Sequence, residues 1–234
     1  MRFLLLSLLF ACTPPITSKA PTHEAVPLTE LRPGVWMHRS WGISDGVRYE
    51  ANGLLVGSIL IDTPWSPEQT QALLEQARVD KALVTHSHLD RVAGIDLLSQ
   101  RGIASYGLAR TQIEARAHQR PAPTHAVGEE GELAVGDARV IYFFPGAAHA
   151  PDNLVVYVPS QQVLFGGCMV RALDAQLGNL GDADIKSWQQ AIQRVSERFP
   201  EATLIVPGHG EPGGRELLAH TRALVDAALA DEVP

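Results

Sequence analysis

A chain of 234 residues with 45% hydrophobic and 19% charged residues has enough apolar content to bury the core of one sizeable domain. Its net charge of −7, with no basic run and no basic patch interleaved with aromatics, argues against nucleic acid or an anionic membrane surface as partner, since both need clustered positive charge. Beyond the leader, no apolar stretch is long enough to span a bilayer.

The chain opens with Met1-Arg2, a minimal positive region, and an apolar run from Phe3 to Phe10 that is too short for a transmembrane helix. Leu9-Phe10-Ala11-Cys12 then resembles a bacterial lipoprotein cleavage box, in which the Cys becomes the lipidated first residue. Residues 1–12 are expected to be a signal peptide with a lipobox, and residues 13–27, rich in Pro and Thr, a flexible tether. The folded domain is expected over 28–234. A conventional signal peptide cut before Pro21 is the alternative. Either route exports the chain to the periplasm, and a lipid on Cys12 anchors it there to the outer membrane. Once Cys12 is assigned to the leader, Cys168 is the remaining cysteine, so no internal disulfide is available and its thiol must be hidden, metal-bound or reactive.

In chain order, residues 34–38, 48–56 and 58–62 read as short strands bounded by turn residues. Residues 67–79 read as a helix capped by Ser66, with Pro67 at its first position. A strand over 81–85 runs into His86; a helix over 95–100, a strand over 103–106 and a helix over 109–118 follow. The second half repeats the logic, with strands over 132–135, 139–144, 154–158, 163–165 and 203–206. Its helices are an amphipathic one over 184–199 and a closing one over 216–230. Two β-rich halves with flanking helices and no linker between them imply one α/β unit of two packed sheets with helices outside.

The chemistry-bearing segment is Thr85-His86-Ser87-His88-Leu89-Asp90-Arg91, directly after an apolar strand. Zinc prefers imidazole, thiolate and carboxylate, and alternating histidines at the end of an extended segment can approach one metal together. Three further segments follow the same plan: Phe144-Pro145-Gly146-Ala147-Ala148-His149, Val163-Leu164-Phe165-Gly166-Gly167-Cys168 and Ile205-Val206-Pro207-Gly208-His209-Gly210. Each places a ligand-type side chain after a short strand and small residues, where loops converge. Singly each is a satisfied structural residue; four such strand ends together point to a metal centre. The other histidines, His23, His38, His118, His125 and His220, lack this setting and read as surface or structural residues.

At these residues the chain resembles the metallo-β-lactamase superfamily, over nearly its whole length after the tether. The resemblance implies a four-layer αβ/βα sandwich with two zinc ions at one edge. Most members place a further His directly after HxHxD; here Arg91 stands there, and Cys168 can take that ligand's place. This is the pattern of the class B β-lactamases whose second zinc uses Asp, Cys and His. The stretches Asp152 to Pro159, Leu177-Gly-Asn-Leu-Gly-Asp-Ala-Asp184, Pro212-Gly-Gly214 and Leu217 to Thr221 are also similar to VIM- and NDM-type enzymes.

Carried over by position, the resemblance implies that His86, His88 and His149 hold one zinc, and Asp90, Cys168 and His209 the other. It implies hydrolysis of the β-lactam amide of penicillins, cephalosporins and carbapenems, with Asp90 and Asn179 as catalytic residues and Asn179 donating to the developing oxyanion. Arg171 stands where the family often has a substrate-binding Lys; a plain surface charge is its other reading. Trp65 matches a residue of the pocket wall, and a core aromatic would look the same. Residues 41–47 occupy the place of the family's flap, or form an ordinary solvated hairpin. Arg91 is expected beneath the metals, and the hairpin over 53–62 is expected to be clipped. Two other classes stand beside this reading: a dizinc hydrolase of thioesters, lactones or phosphodiesters, and a non-catalytic zinc protein. No feature calls for an oligomer, so a monomer is expected.

Overall fold

The computed structural model describes residues 24–231, Asp45 excepted; the leader, Cys12, His23 and the tether up to residue 23 lie outside it. In chain order the strands of the first half are β1 (Leu28–Arg32), β2 (Val35–Ser44), β3 (Val47–Val56), β4 (Ile59–Ile61), β5 (Lys81–Leu83), β6 (Ala104–Leu108) and β7 (His125–Val127). Between them lie α1 (Pro67–Gln76), α2 (Leu89–Val92), α3 (Ile95–Gln100) and α4 (Ala109–Ala117). The second half holds β8 (Glu130–Val135), β9 (Ala138–Phe143), β10 (Val155–Val158), β11 (Val163–Gly167), α5 (Ile185–Arg198), β12 (Leu204–Pro207) and α6 (Glu216–Asp231). No helix among the described residues is long and apolar enough to cross a membrane.

The strands form a seven-stranded sheet in sequence order and a five-stranded sheet in the order β12-β11-β10-β9-β8. Period-two alternation decides which side chains meet. Leu54, Val56, Ile59 and Ile61 from the first sheet pack against Val156, Val158, Phe165 and Val206 from the second, forming the core between the sheets. Leu55, Leu60 and Ala82 face the other way, onto Ala72 and Leu73 of α1 and Leu98 of α3. Val155, Tyr157, Leu164 and Ile205 face outward onto α5 and α6. The result is the four-layer αβ/βα sandwich that the resemblance implies.

Helix α5 shows the local rules at work. Asp184 caps it by accepting from Ser187 N at 2.9 Å, and Trp188, Ala191, Ile192 and Val195 make a buried stripe at helical spacing. Trp188 Nε1 donates to Met169 O at 2.9 Å, so the largest buried side chain of that layer is also satisfied.

Several boundaries differ from the sequence expectation. The fold begins earlier than residue 28: Val26 is fully buried and Pro27 O accepts from Arg39 N at 3.0 Å, so the last residues assigned to the tether are packed against the sheet. Strands β1 and β7 and helix α2 were not expected, because they are short and carry no apolar period. The hairpin between β3 and β4 is tight as foreseen, with Val56 paired to Ile59 across Gly57 and Ser58.

Strands β4 to β7 run parallel, as do β11 and β12. In such sheets the loops after the carboxyl ends collect at one edge, where ligands bind. Here the loop after β5 carries His86 and His88 and leads into α2, which carries Asp90, while Cys168 follows β11 and His209 follows β12.

Candidate metal centre

The structure brings the six donors into two groups, His86 with His88 and His149, and Asp90 with Cys168 and His209; within each, the ligand atoms lie within 4.8 Å of one another. His86 is fully buried and His149 nearly so. His88 Nδ1 is 3.2 Å from both His86 Nε2 and His149 Nε2.

Hydrogen bonds on the far side of the His86 and His88 rings decide what their inner nitrogens carry, whereas His149 Nδ1 has no partner. Asp62 accepts from Thr85 N at 2.7 Å and from the Thr85 hydroxyl at 2.9 Å. With its proton committed to Asp62, Thr85 Oγ accepts from His86 Nδ1 at 3.0 Å, which leaves His86 Nε2 bare. His88 Nε2 donates to Asp182 Oδ2 at 2.9 Å, which leaves His88 Nδ1 bare. Bare lone pairs 3.2 Å apart repel unless a cation lies among them. Protons are a poor substitute: burial, then the neighbouring imidazoles, pushes His86 well down, and the same causes push His149 down to about 3. Three imidazoles converging on one point are a zinc site's donor set.

The second group rests on Arg91, which is fully buried, as expected from its place beneath the ligands. Its guanidinium lies 2.7 Å from Asp90 Oδ2, 2.9 Å from Cys168 Sγ and 3.4 Å from Asp62 Oδ2, and it also donates to Asn52 O and Gly208 O. Burial alone would raise Asp90, but Arg91 and His209 outweigh it and hold the carboxyl well below the usual range. His209 shows the opposite result. Burial would lower it, yet Cys168 and Asp90 push it up to about 10, so in the absence of metal a proton sits where a cation would replace it. Asp62 is raised to about 7 by burial, against the pull of Arg91 and Thr85.

The cradle admits no bulk. A Cβ on Gly208 would meet Cys168 N at 2.7 Å and Sγ at 2.8 Å, so only glycine lets the β12 loop close against the thiol. Asn52 of β3 fastens the same loop, donating to Pro207 O at 3.0 Å and Gly210 O at 2.7 Å. The loop bearing His149 is closed by Asn153 Oδ1, which accepts from Ala150 N at 2.7 Å.

The residues expected at the substrate lie around this edge. The Trp65 and His209 rings meet at a steep angle, with centroids 6.0 Å apart and planes 61° from parallel. Asn179 is exposed, and its Oδ1 accepts from Gly181 N at 2.9 Å. Its loop is tied to the metal centre by Asp182 on His88 and by Asp184 N on Ala148 O, but Asn179 itself touches no ligand. Arg171 is partly buried and donates through Nε to Gln176 O at 2.7 Å. Among the described residues it has no carboxylate partner.

Among the described residues, none of the histidines set aside in the sequence joins either donor group. His38 is buried and bonded to Asp62 O, His125 stacks on Tyr106 and His220 lies against Ala175 O. Sequence reasoning missed Asp62, Thr85, Asn52 and Asp182 as supports of the ligands. Only Asp182 had a signal, its place within the glycine-rich run before α5.

The metallo-beta-lactamase superfamily model matches residues 50–209, which takes in every one of these ligands. The chain belongs to the metallo-β-lactamase superfamily. A metallo-beta-lactamase type 2 from Bacillus cereus is 35% identical over 211 residues, covering 86% of this chain and 82% of that protein. Among solved structures, the DIM-1 metallo-beta-lactamase exposed to ceftazidime superposes with a TM-score of 0.83 at 32% identity, covering 88% of this chain and 99% of that one. The metallo-beta-lactamase FIM-1 from Pseudomonas aeruginosa, in its mono-zinc form, gives a TM-score of 0.82 at 34% identity, covering 92% and 99%. The superfamily's two-sheet sandwich is therefore the fold described above.

Proposed function

We propose that this chain is a zinc-dependent β-lactamase that hydrolyses the cyclic amide of penicillins, cephalosporins and carbapenems and so confers resistance. The observation that carries the reading is the pairing of a three-imidazole set with a carboxyl–thiol–imidazole set at one edge of the two sheets. A structural zinc site closes four ligands around one ion, whereas these sets supply three each. Relatives that share this fold at 32–35% identity are named metallo-beta-lactamases, which supports the same reading.

His86, His88 and His149 hold one zinc, and Asp90, Cys168 and His209 hold a second. When bound, zinc polarises a carbonyl and lowers the pKa of a bound water to about 7. The chain's own residues supply the rest. Asp90, kept ionised by Arg91, serves as a ligand and an acceptor and does not donate a proton. Arg171 keeps free guanidinium nitrogens for the substrate carboxylate, with Nε fixed on Gln176 O. Asn179 turns Oδ1 inward to Gly181, so its amide nitrogen is available to the oxyanion. Trp65 forms the apolar wall beside His209.

The leader supports export to the periplasm, with a lipid on Cys12 anchoring a monomer to the outer membrane. The test is turnover of a carbapenem and a chromogenic cephalosporin by the zinc-loaded mature chain, with and without chelator, alongside elemental analysis of bound zinc. Chelator-sensitive turnover is expected. No turnover of either compound with both sites filled would move the assignment to thioester and lactone hydrolases.

A further inference from the structure

The sequence Ser66-Pro67-Glu68-Gln69 has the form of a capping box, in which the fourth residue's side chain returns to the first residue's N–H. Only half of the box is made. Ser66 Oγ accepts from Gln69 N at 3.2 Å, but the Gln69 carboxamide leaves its own helix and meets β2. Its Oε1 accepts from Trp41 N at 2.9 Å and its Nε2 donates to Trp41 O at 2.7 Å.

One side chain thus takes both outward main-chain groups of Trp41, as a neighbouring strand would. Along this edge of β2, Arg39 N is bonded to Pro27 O, Trp41 to Gln69, and Ile43 to nothing among the described residues. Support for the hairpin edge therefore ends at Gln69. Gly42, the next residue, lies flat on Trp65: a Cβ there would stand 2.5 Å from the indole ring. The guanidinium of Arg48 covers the Trp41 ring from the other strand at 4.5 Å.

The clamped residue faces the metal centre through one more step. Trp41 pairs with Glu50 across the hairpin, and Glu50 O accepts from Nδ1 of His209. Beyond the clamp the hairpin carries exposed apolar side chains, Ile43 at 76% and Val47 at 51% exposure.

We infer that Gln69 is a positioning residue for substrate binding, which clamps the root of the β2–β3 hairpin at Trp41 so that the hairpin from Ile43 onward pivots from a fixed point beside the metal centre. The substrate arm of this inference rests on the hydrolase reading above; the clamp itself does not. Without the clamp the hairpin samples more orientations, and binding must select one of them, so apparent affinity falls while the reacting groups are untouched.

Gln69→Met removes both bonds at similar volume, and Gln69→Glu keeps an acceptor for Trp41 N–H while losing the donor. Hydrogen exchange of the zinc-loaded, substrate-free chain is expected to accelerate about tenfold in Gln69→Met over residues 39–50, and less in Gln69→Glu, with residues 53–61 unchanged. For a chromogenic cephalosporin, KM should rise about fivefold with kcat within about twofold of the parent. Unchanged hairpin exchange in both variants, or acceleration shared equally by residues 53–61, overturns the clamp. Localised acceleration with no cephalosporin turnover by parent or variant supports the clamp and overturns the hydrolase reading. If Gln69→Met fails to fold, Gln69→Glu alone decides by the same two measurements.

Discussion

Arg91 Nη2 sits 2.9 Å from Cys168 Sγ, in a pocket where the guanidinium is the cation shared by a thiol and two carboxyl groups. The residue that follows the HxHxD motif is thus the floor of the second site. Removing it leaves Asp90 and Asp62 buried without their counter-ion, a situation that costs far more than the pair itself contributes. Arg91→Ala should lower unfolding stability by about 3–5 kcal/mol, read from urea titration. A loss below about 1 kcal/mol would show that water or relaxation replaces the guanidinium.

Cys168 supplies the one thiolate of the centre, and a hydroxyl is a far weaker ligand for zinc. Cys168→Ser should therefore reduce bound zinc from about two per chain to about one, with the imidazole site still filled. Elemental analysis after dialysis checks this, with far-UV dichroism to confirm the fold. Two retained zincs would remove Cys168 from the ligand set.

Arg171 offers an unpaired charge to a substrate carboxylate, and bonds to charged groups are worth about 1.5–3 kcal/mol. Arg171→Ala should raise KM for a cephalosporin about ten- to a hundredfold with kcat little changed, and Arg171→Lys should fall between. If KM stays at the parent value, the side chain is a surface charge only.

His38 gives the fold a pH dependence separate from the metals. It is buried, its Nε2 lies 3.0 Å from Asp62 O, its Nδ1 has no partner, and burial is the main cause that lowers its pKa from 6.5 to about 4. The unfolded chain therefore binds a proton below pH 6.5 that the folded chain refuses until about pH 4. Stability is complete above the unfolded pKa and falls as pH drops, by about 2 kcal/mol between pH 7 and pH 5. Urea unfolding at the two pH values, compared with His38→Asn, isolates this contribution. Parallel losses in both proteins would assign it elsewhere.

The six candidate ligands that the structure gathers into two groups stood out in sequence because His86, His149, Cys168 and His209 each come after a short apolar strand among small residues, with His88 and Asp90 at alternate positions after His86, a purely local pattern. The two-sheet architecture was legible for a similar reason, since period-two strands and the stripe of α5 are local as well. The supports were not legible. Asp62 in Ile61-Asp62-Thr63-Pro64 looks like any acid at a strand end, and its burial is decided by Thr85 and Arg91, 23 and 29 positions away. Gln69 looks like half of a capping box, and only the packing of α1 against β2 sends its amide elsewhere. Strands β1 and β7 take their structure from their neighbours, so no period announces them.

Each metal group draws on both sheets. The first takes His86 and His88 from the loop after β5 and His149 from the loop after β9; the second takes Asp90 from α2, which follows that first loop, and Cys168 and His209 from the ends of β11 and β12 in the other sheet. Among the described residues, neither half owns a complete set of donors. Metal competence is consequently a property of the seam, and the two sites stand or fall together with it. Sliding one sheet against the other by a single residue would dissolve both centres without altering any of the six side chains, so inheritance of the catalyst amounts to inheritance of an alignment.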